Sequence, residues 1–186
     1  VEQSKLMCDL FPDCDYFMSH DEYRVMGWTE ASIQVESKED SKKDLPALWL
    51  SHNAEVCFTS LKGLQPKCRV FTWNDMFDIH HNAVNNYYLV NGSLENVTLP
   101  SEVWVMNWNA SKKLESLRMF ADKGHHQLIA GYYDSNADEI VQWLDVVTQN
   151  SIPHVDGVMY TTWQRNYADL EAFAQAATGH AWYSQE

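Results

Sequence analysis

Short apolar runs recur along this chain, each ending in aromatic and polar residues together and most followed by a segment whose apolar positions fall at helical spacing. The runs are Tyr16-Phe17-Met18-Ser19, Arg69-Val70-Phe71-Thr72-Trp73, Val103-Trp104-Val105-Met106-Asn107-Trp108, Gln127-Leu128-Ile129-Ala130-Gly131-Tyr132-Tyr133 and Gly157-Val158-Met159-Tyr160-Thr161-Thr162-Trp163. A strand that must return parallel to its predecessor needs a crossover, and a helix supplies it, so this alternation predicts an α/β fold of about five β/α units. No internal sequence repeat accompanies it.

The helical segments carry their own punctuation. Glu2 to Leu10 reads as the end of a helix with Leu6 and Leu10 on one face, stopped by Pro12. From Leu45, the positions Leu48, Trp49, His52, Val56 and Leu61 follow helical spacing, with an end expected around Gly63 to Pro66. A third helix should bury Leu114, Leu117 and Phe120 and end at Lys123-Gly124. Asn136 with Glu139 resembles a capping box opening a fourth, with Ile140, Trp143, Leu144 and Val147 inside. A fifth, from about Asn166, carries Leu170, Phe173 and Ala177, with Gly179 as C-cap. The stretch Ser37 to Asp44 is too charged for a core.

With 186 residues the chain can bury one substantial core, and 45% hydrophobic content is ordinary for a globular protein. A formal net charge of -13 argues against nucleic acid and against an anionic membrane surface as partners, since either recruits clustered Lys and Arg. No apolar stretch approaches the roughly 20 residues of a membrane span, and Val1 to Lys5 lack the layout of a secretory signal, so the chain reads as soluble. Cys8, Cys14, Cys57 and Cys68 match no zinc spacing and read as free thiols, mostly buried. The sequons at Asn91, Asn96 and Asn109 are short enough to arise by chance.

Parallel strands point their C-terminal ends one way. His20-Asp21-Glu22, Trp73 with Asp75, Asn107-Trp108, Tyr132-Tyr133-Asp134 and Trp163 are therefore expected to gather as one pocket. Indole and phenol rings stack on the C–H faces of sugars, and carboxyl groups supply proton transfer, so a carbohydrate is the expected substrate.

The ordered set of strand ends, His20-Asp21-Glu22, Val70-Phe71-Thr72-Trp73-Asn74-Asp75, Val105-Met106-Asn107-Trp108, Tyr132-Tyr133-Asp134 and Thr162-Trp163, resembles the last five strands of the barrel in family 20 glycoside hydrolases, the β-N-acetylhexosaminidases. The resemblance implies a (β/α)8 TIM-barrel-like fold, of which residues 1–186 would form one partial-barrel domain of about five units. A complete barrel has eight strands in about 250 residues. It further implies substrate-assisted retaining catalysis, with Glu22 as general acid/base and Asp21 orienting the 2-acetamido group that attacks the anomeric carbon. Trp73, Trp108 and Trp163 would wall the sugar, Tyr132 or Tyr133 would donate to the acetamido oxygen, and Asp75, Asp134 and His20 would line the site. Two departures stand out: the family's Gly-Gly before the Asp-Glu pair is Ser19-His20 here, followed by Tyr23-Arg24, and the strands preceding the pair, with their sugar-binding arginine, are missing. Such an open barrel would self-associate or be completed by a second chain.

Plainer roles compete. His20-Asp21-Glu22 could be a solvated turn, capping a helix or pairing with Arg24. Any one Trp is more often packing than platform, and Trp28, Trp49, Trp104 and Trp143 are read as packing. Asp75 and Asp78 near His80-His81 invite a metal, but adjacent imidazoles do not easily face one ion, and no metal or cofactor is expected. Asp75 lines the pocket or caps the next helix, His125-His126 lie at the surface, and Asn85-Asn86-Tyr87-Tyr88 belong to a lid or an ordinary connection. Two other functions stay open: a retaining glycosidase using Asp134 as a protein nucleophile, and a non-catalytic carbohydrate-binding protein.

Overall fold

The computed structural model describes residues 2–22, 45–81, 97–134 and 136–180. The charged stretch at 37–44, Arg24, Trp28 and the segment Asn85-Asn86-Tyr87-Tyr88 lie outside the described residues. The elements are α1 (Glu2–Leu10), β1 (Tyr16–Phe17), α2 (Leu45–Leu64), β2 (Val70–Trp73), β3 (Val103–Asn107), α3 (Lys113–Asp122), β4 (Gln127–Ile129), α4 (Glu139–Asn150), β5 (Val155–Val158) and α5 (Leu170–Gly179). Short 3-10 turns at Asp75–Phe77 and Ala110–Lys112 follow β2 and β3. The protein is α/β, with a five-stranded parallel sheet in the order β1-β2-β3-β4-β5. Its contacts divide into two compact units, Val1–Trp104 and Val105–Glu186.

In the first unit β1 pairs in parallel with β2, Tyr16 opposite Val70 and Phe17 opposite Phe71. Strand alternation then sorts the side chains. Tyr16, Met18 and Val70 pack with Leu61, Phe58 and Cys68, which places α2 against that face. Phe17, Phe71 and Trp73 belong to the other: Phe17 meets Trp73 edge-on at 5.1 Å, and Trp104 leans on Phe71 at 5.6 Å. The Arg69 guanidinium lies over Phe71 and Trp104. Asp15 fixes it, accepting from the Arg69 backbone N–H at 2.7 Å and from Nε at 2.8 Å. Partial burial pushes the Asp15 carboxyl up, but the bonds from Arg69 outweigh it and hold the group below the usual carboxylate range.

Helix α2 corrects the expected stripe. Its buried residues include Ala47, Leu50, Ala54 and Leu61, whereas Leu48, Trp49 and Val56 are exposed. Reading only the large apolar residues misses the two alanines, whose small side chains face inward at the same period. Trp49 is therefore not core packing. Helix α1 stops before Pro12 as expected but buries no residue, and Leu6 and Leu10 are exposed.

In the second unit β3 pairs with β4, Val105 opposite Gln127 and Asn107 opposite Ile129, and β4 pairs with β5. Leu117 of α3, Ile140, Trp143 and Leu144 of α4, and Phe173 and Ala177 of α5 close one core around Ile129 and Tyr133. Each large apolar side chain fully buried there contributes about 1.5–3 kcal/mol. A polar network shares this interior: Asn107 Nδ2 donates to Ser116 Oγ at 2.8 Å, and Gln127 Nε2 donates to the Leu117 carbonyl at 2.8 Å. The last strand begins at Val155 and ends at Val158, earlier than expected, and Thr161 pairs only through an isolated bridge to Tyr132. The Asn136 capping box does not form. Asn136 Oδ1 instead accepts from the Asp138 N–H two residues on, a local Asx turn, and Glu139 pairs with Lys113 at 3.1 Å. His125, expected at the surface, is buried against Phe120. Of the free cysteines only Cys68 is buried.

Candidate functional site

The peptide Ser19-His20-Asp21-Glu22 follows β1 in an uncommon conformation. Ser19, His20 and Glu22 all have positive φ, at 63°, 57° and 46°. Non-glycine residues pay about 1–2 kcal/mol each for the left-handed region, so three in four positions must be held by their surroundings. The Ser19 carbonyl accepts from Thr72 Oγ1 at 2.8 Å and from the Trp73 N–H at 3.1 Å. The His20 ring is buried, with Nε2 2.9 Å from Asn53 Oδ1 of α2 and its face tilted against Phe77. The Glu22 N–H donates to Asp75 Oδ2 at 2.7 Å. Asp21 and Glu22 themselves are half-buried.

Asp75 opens the 3-10 turn after β2 and is wholly buried, so the expectation that it lines a pocket gives way to a carboxylate holding backbone. The same segment is tied by Asn74 Nδ2 donating to Asp78 Oδ2 at 2.9 Å and by the His80 N–H donating to Asp78 Oδ1 at 2.8 Å. His81, half-buried, is held below its usual pKa by burial, which outweighs the opposing pull of the Asp78 and Glu22 carboxylates. Among the described residues no three His, Cys, Asp or Glu side chains are grouped to hold a metal ion. Trp73 is half-buried against Phe17.

The second unit carries its own carboxylate at a strand end. Asp134, nearly buried, accepts from Thr162 Oγ1, from the Trp163 N–H at 2.6 Å and from the Gln164 N–H at 3.2 Å. Burial raises its pKa, but these bonds and one from the Tyr132 hydroxyl outweigh it and hold the carboxyl below the usual range. The Asp134 side chain thus fixes the turn that displays Trp163, which is 69% exposed. Tyr132 is exposed, its hydroxyl accepting from Gln164 Nε2 at 3.1 Å. Tyr133 is wholly buried and stacks on Tyr160 at 5.6 Å, and burial pushes its hydroxyl far above the usual phenol range. Of the two tyrosines, only Tyr132 offers a ring to solvent. Trp108 is half-buried beyond the Asn107 network.

Sequence reasoning missed Asn53 and the holding roles of Thr72, Asn74 and Asp78. The signal for the last three was local, polar residues within and directly after the β2 run; Asn53 sits in mid-helix, and nothing in the sequence pointed from it to His20. The sequon at Asn109 has a buried asparagine whose Oδ1 accepts from Ser111 Oγ at 3.1 Å. No family model matches the chain, and no curated protein matches it.

Proposed function

We propose that the chain belongs to a β-N-acetylhexosaminidase-like, barrel-type glycoside hydrolase and that Asp21 and Glu22 are its catalytic pair. The observation that carries this reading is the backbone of the turn. Ser19 and His20 stand where the resembled family has Gly-Gly, and both adopt the left-handed φ that glycine takes without cost. A conformation so unsuited to serine and histidine is kept because it sets the two carboxylates that follow. The strand order supports the barrel: strands that follow one another in the sheet as in the sequence are singly wound, whereas a doubly wound sheet reverses direction at a switch point.

On this reading Glu22 protonates the leaving glycosidic oxygen while the acetamido oxygen of the substrate, oriented by Asp21, closes onto the anomeric carbon. Glu22, now a carboxylate, then takes a proton from the water that opens the ring so formed. Trp73, half-buried at the end of β2 in the same unit as the pair, is assigned to a sugar contact. In the second unit Tyr132 keeps its ring in solvent while Tyr133 is sealed in the core. A protein nucleophile at Asp134 has less support, because its oxygens already accept from Thr162, Trp163, Gln164 and Tyr132.

The test is hydrolysis of an aryl β-N-acetylglucosaminide. Glu22→Gln is expected to lower kcat by about 10²–10⁴. Asp21→Asn is expected to lose activity on N-acetylated sugars in particular. Full activity in Glu22→Gln would end the assignment.

A further inference from the structure

We propose that Asp75 is the positioning residue for Glu22: it fixes the acid by holding its backbone, and it does not touch substrate. The proposal rests on the acid role given to Glu22 above and adds the element that determines where that acid points.

Three observations converge. Asp75 is 0% exposed and begins the 3-10 turn Asp75–Phe77, whose other two residues are also buried, so its backbone has little freedom. Its Oδ2 accepts the Glu22 N–H at 2.7 Å, the short length expected when the acceptor is charged. Glu22 has φ 46°, so without that acceptor its peptide would relax toward the ordinary right-handed or extended regions. Such a rotation turns the Cα–Cβ bond and carries the carboxyl with it. A proton donor must lie within hydrogen-bond reach of the leaving oxygen, and a displacement of about 1 Å costs on the order of 100-fold in rate. A hydrogen bond to a backbone N–H thereby governs where the side chain of that residue points.

The bond also separates acceptor from charge. Asn at position 75 keeps an oxygen where Oδ2 stands, whereas Ala removes it. In the full chain, Asp75→Ala is expected to lower kcat about 10- to 100-fold with KM nearly unchanged, and Asp75→Asn to restore most of that loss. A residue that merely stabilises the fold would lower the amount of active protein without this rescue. The Glu22 amide resonance provides the second readout: its proton should lie downfield, and Asp75→Ala should move it upfield and speed its hydrogen exchange, while Asp75→Asn holds it close to the wild-type position. Asp75→Ala with unchanged kcat and an unchanged Glu22 amide overturns the proposal. If Glu22→Gln is fully active, the acid role falls, and the Glu22 amide in Asp75→Ala still decides whether Asp75 holds the turn.

Discussion

Each of the two units holds the turn after a strand with a carboxylate, and the two turns present different side chains. In the first, the buried Asp75 accepts the backbone N–H and the residues it supports, Asp21 and Glu22, keep their side chains half-buried at the strand end. In the second, Asp134 itself accepts from Thr162, Trp163 and Gln164, and the turn it holds displays an indole. In both units the carboxylate is scaffold, and the turn it holds carries the exposed or half-buried groups. The sharpest way to break this contrast is to cross the two substitutions. Glu22→Gln should lower kcat by about 10²–10⁴ and leave stability within about 0.5 kcal/mol, as expected of a substitution that removes no packing. Asp134→Ala should free the Trp163 and Gln164 N–H groups, raising their hydrogen exchange about tenfold or more. Faster exchange in the first variant with none in the second would reverse the roles.

The units also differ in how they are packed, and a glycine tests that difference. A Cβ at Gly131 would stand 3.0 Å from both Trp143 Nε1 and Tyr133 Oη, side chains wholly buried in the second core. Neither is a flexible tip that can swing away, so Gly131→Ala is expected to cost about 1–3 kcal/mol, read from denaturant midpoints. At Gly63 of α2 nothing lies within 4 Å of the added atom, and Gly63→Ala should instead be neutral or stabilising by up to about 1 kcal/mol.

How far these features can be read from sequence follows from their range. Ile140, Trp143, Leu144 and Val147 announce a buried helix face because periodicity is local, and all four are buried. The alternation of elements announces parallel β/α order for the same reason. The stripe of α2 misleads because Ala47 and Ala54 carry the inward face while Leu48 and Trp49 do not, and hydrophobicity alone ranks them the wrong way. Asp21-Glu22 is visible as a pair, but Asp75 is 53 residues from the N–H that it binds, and a contact at that separation leaves no local pattern. The same holds for His20 and Asn53. Tyr132 and Tyr133 are adjacent and chemically identical, and only the packing beyond the end of β4 decides which is buried.

A smaller effect separates the two left-handed residues before the acid pair. Ser19 has φ 63° with an exposed side chain, so Ser19→Gly removes the steric penalty and gives back part of it as unfolded-chain entropy. A net gain of about 0.5–1 kcal/mol is expected, measured as a higher denaturation midpoint. His20→Gly relieves the same strain at φ 57° but deletes a buried ring held by Asn53 and Phe77, and should be destabilising. If both glycines stabilise, the His20 ring contributes nothing to the turn. If neither does, the positive φ is not strained.

The smallest effect is one of pH and concerns His81. Burial depresses its pKa in the folded chain below the ordinary value near 6.5, with Asp78 and Glu22 opposing. The unfolded chain therefore binds the proton more readily, and stability is complete above the unfolded pKa and declines as pH falls through about 6.5. His81→Gln should flatten that decline between pH 7 and pH 5 in the denaturation midpoint of the chain. Asp15, held down by Arg69, has the same sign in a lower window: its contribution is present above the unfolded carboxylate range near 4 and is lost as pH falls through the folded value. Arg69 is 56% exposed, so solvent screening keeps that loss at or below about 1 kcal/mol, and Asp15→Asn should remove it without altering the step near 6.5. A decline near 6.5 that survives His81→Gln would assign the titration to another group and leave the Glu22 surroundings electrostatically indifferent to His81.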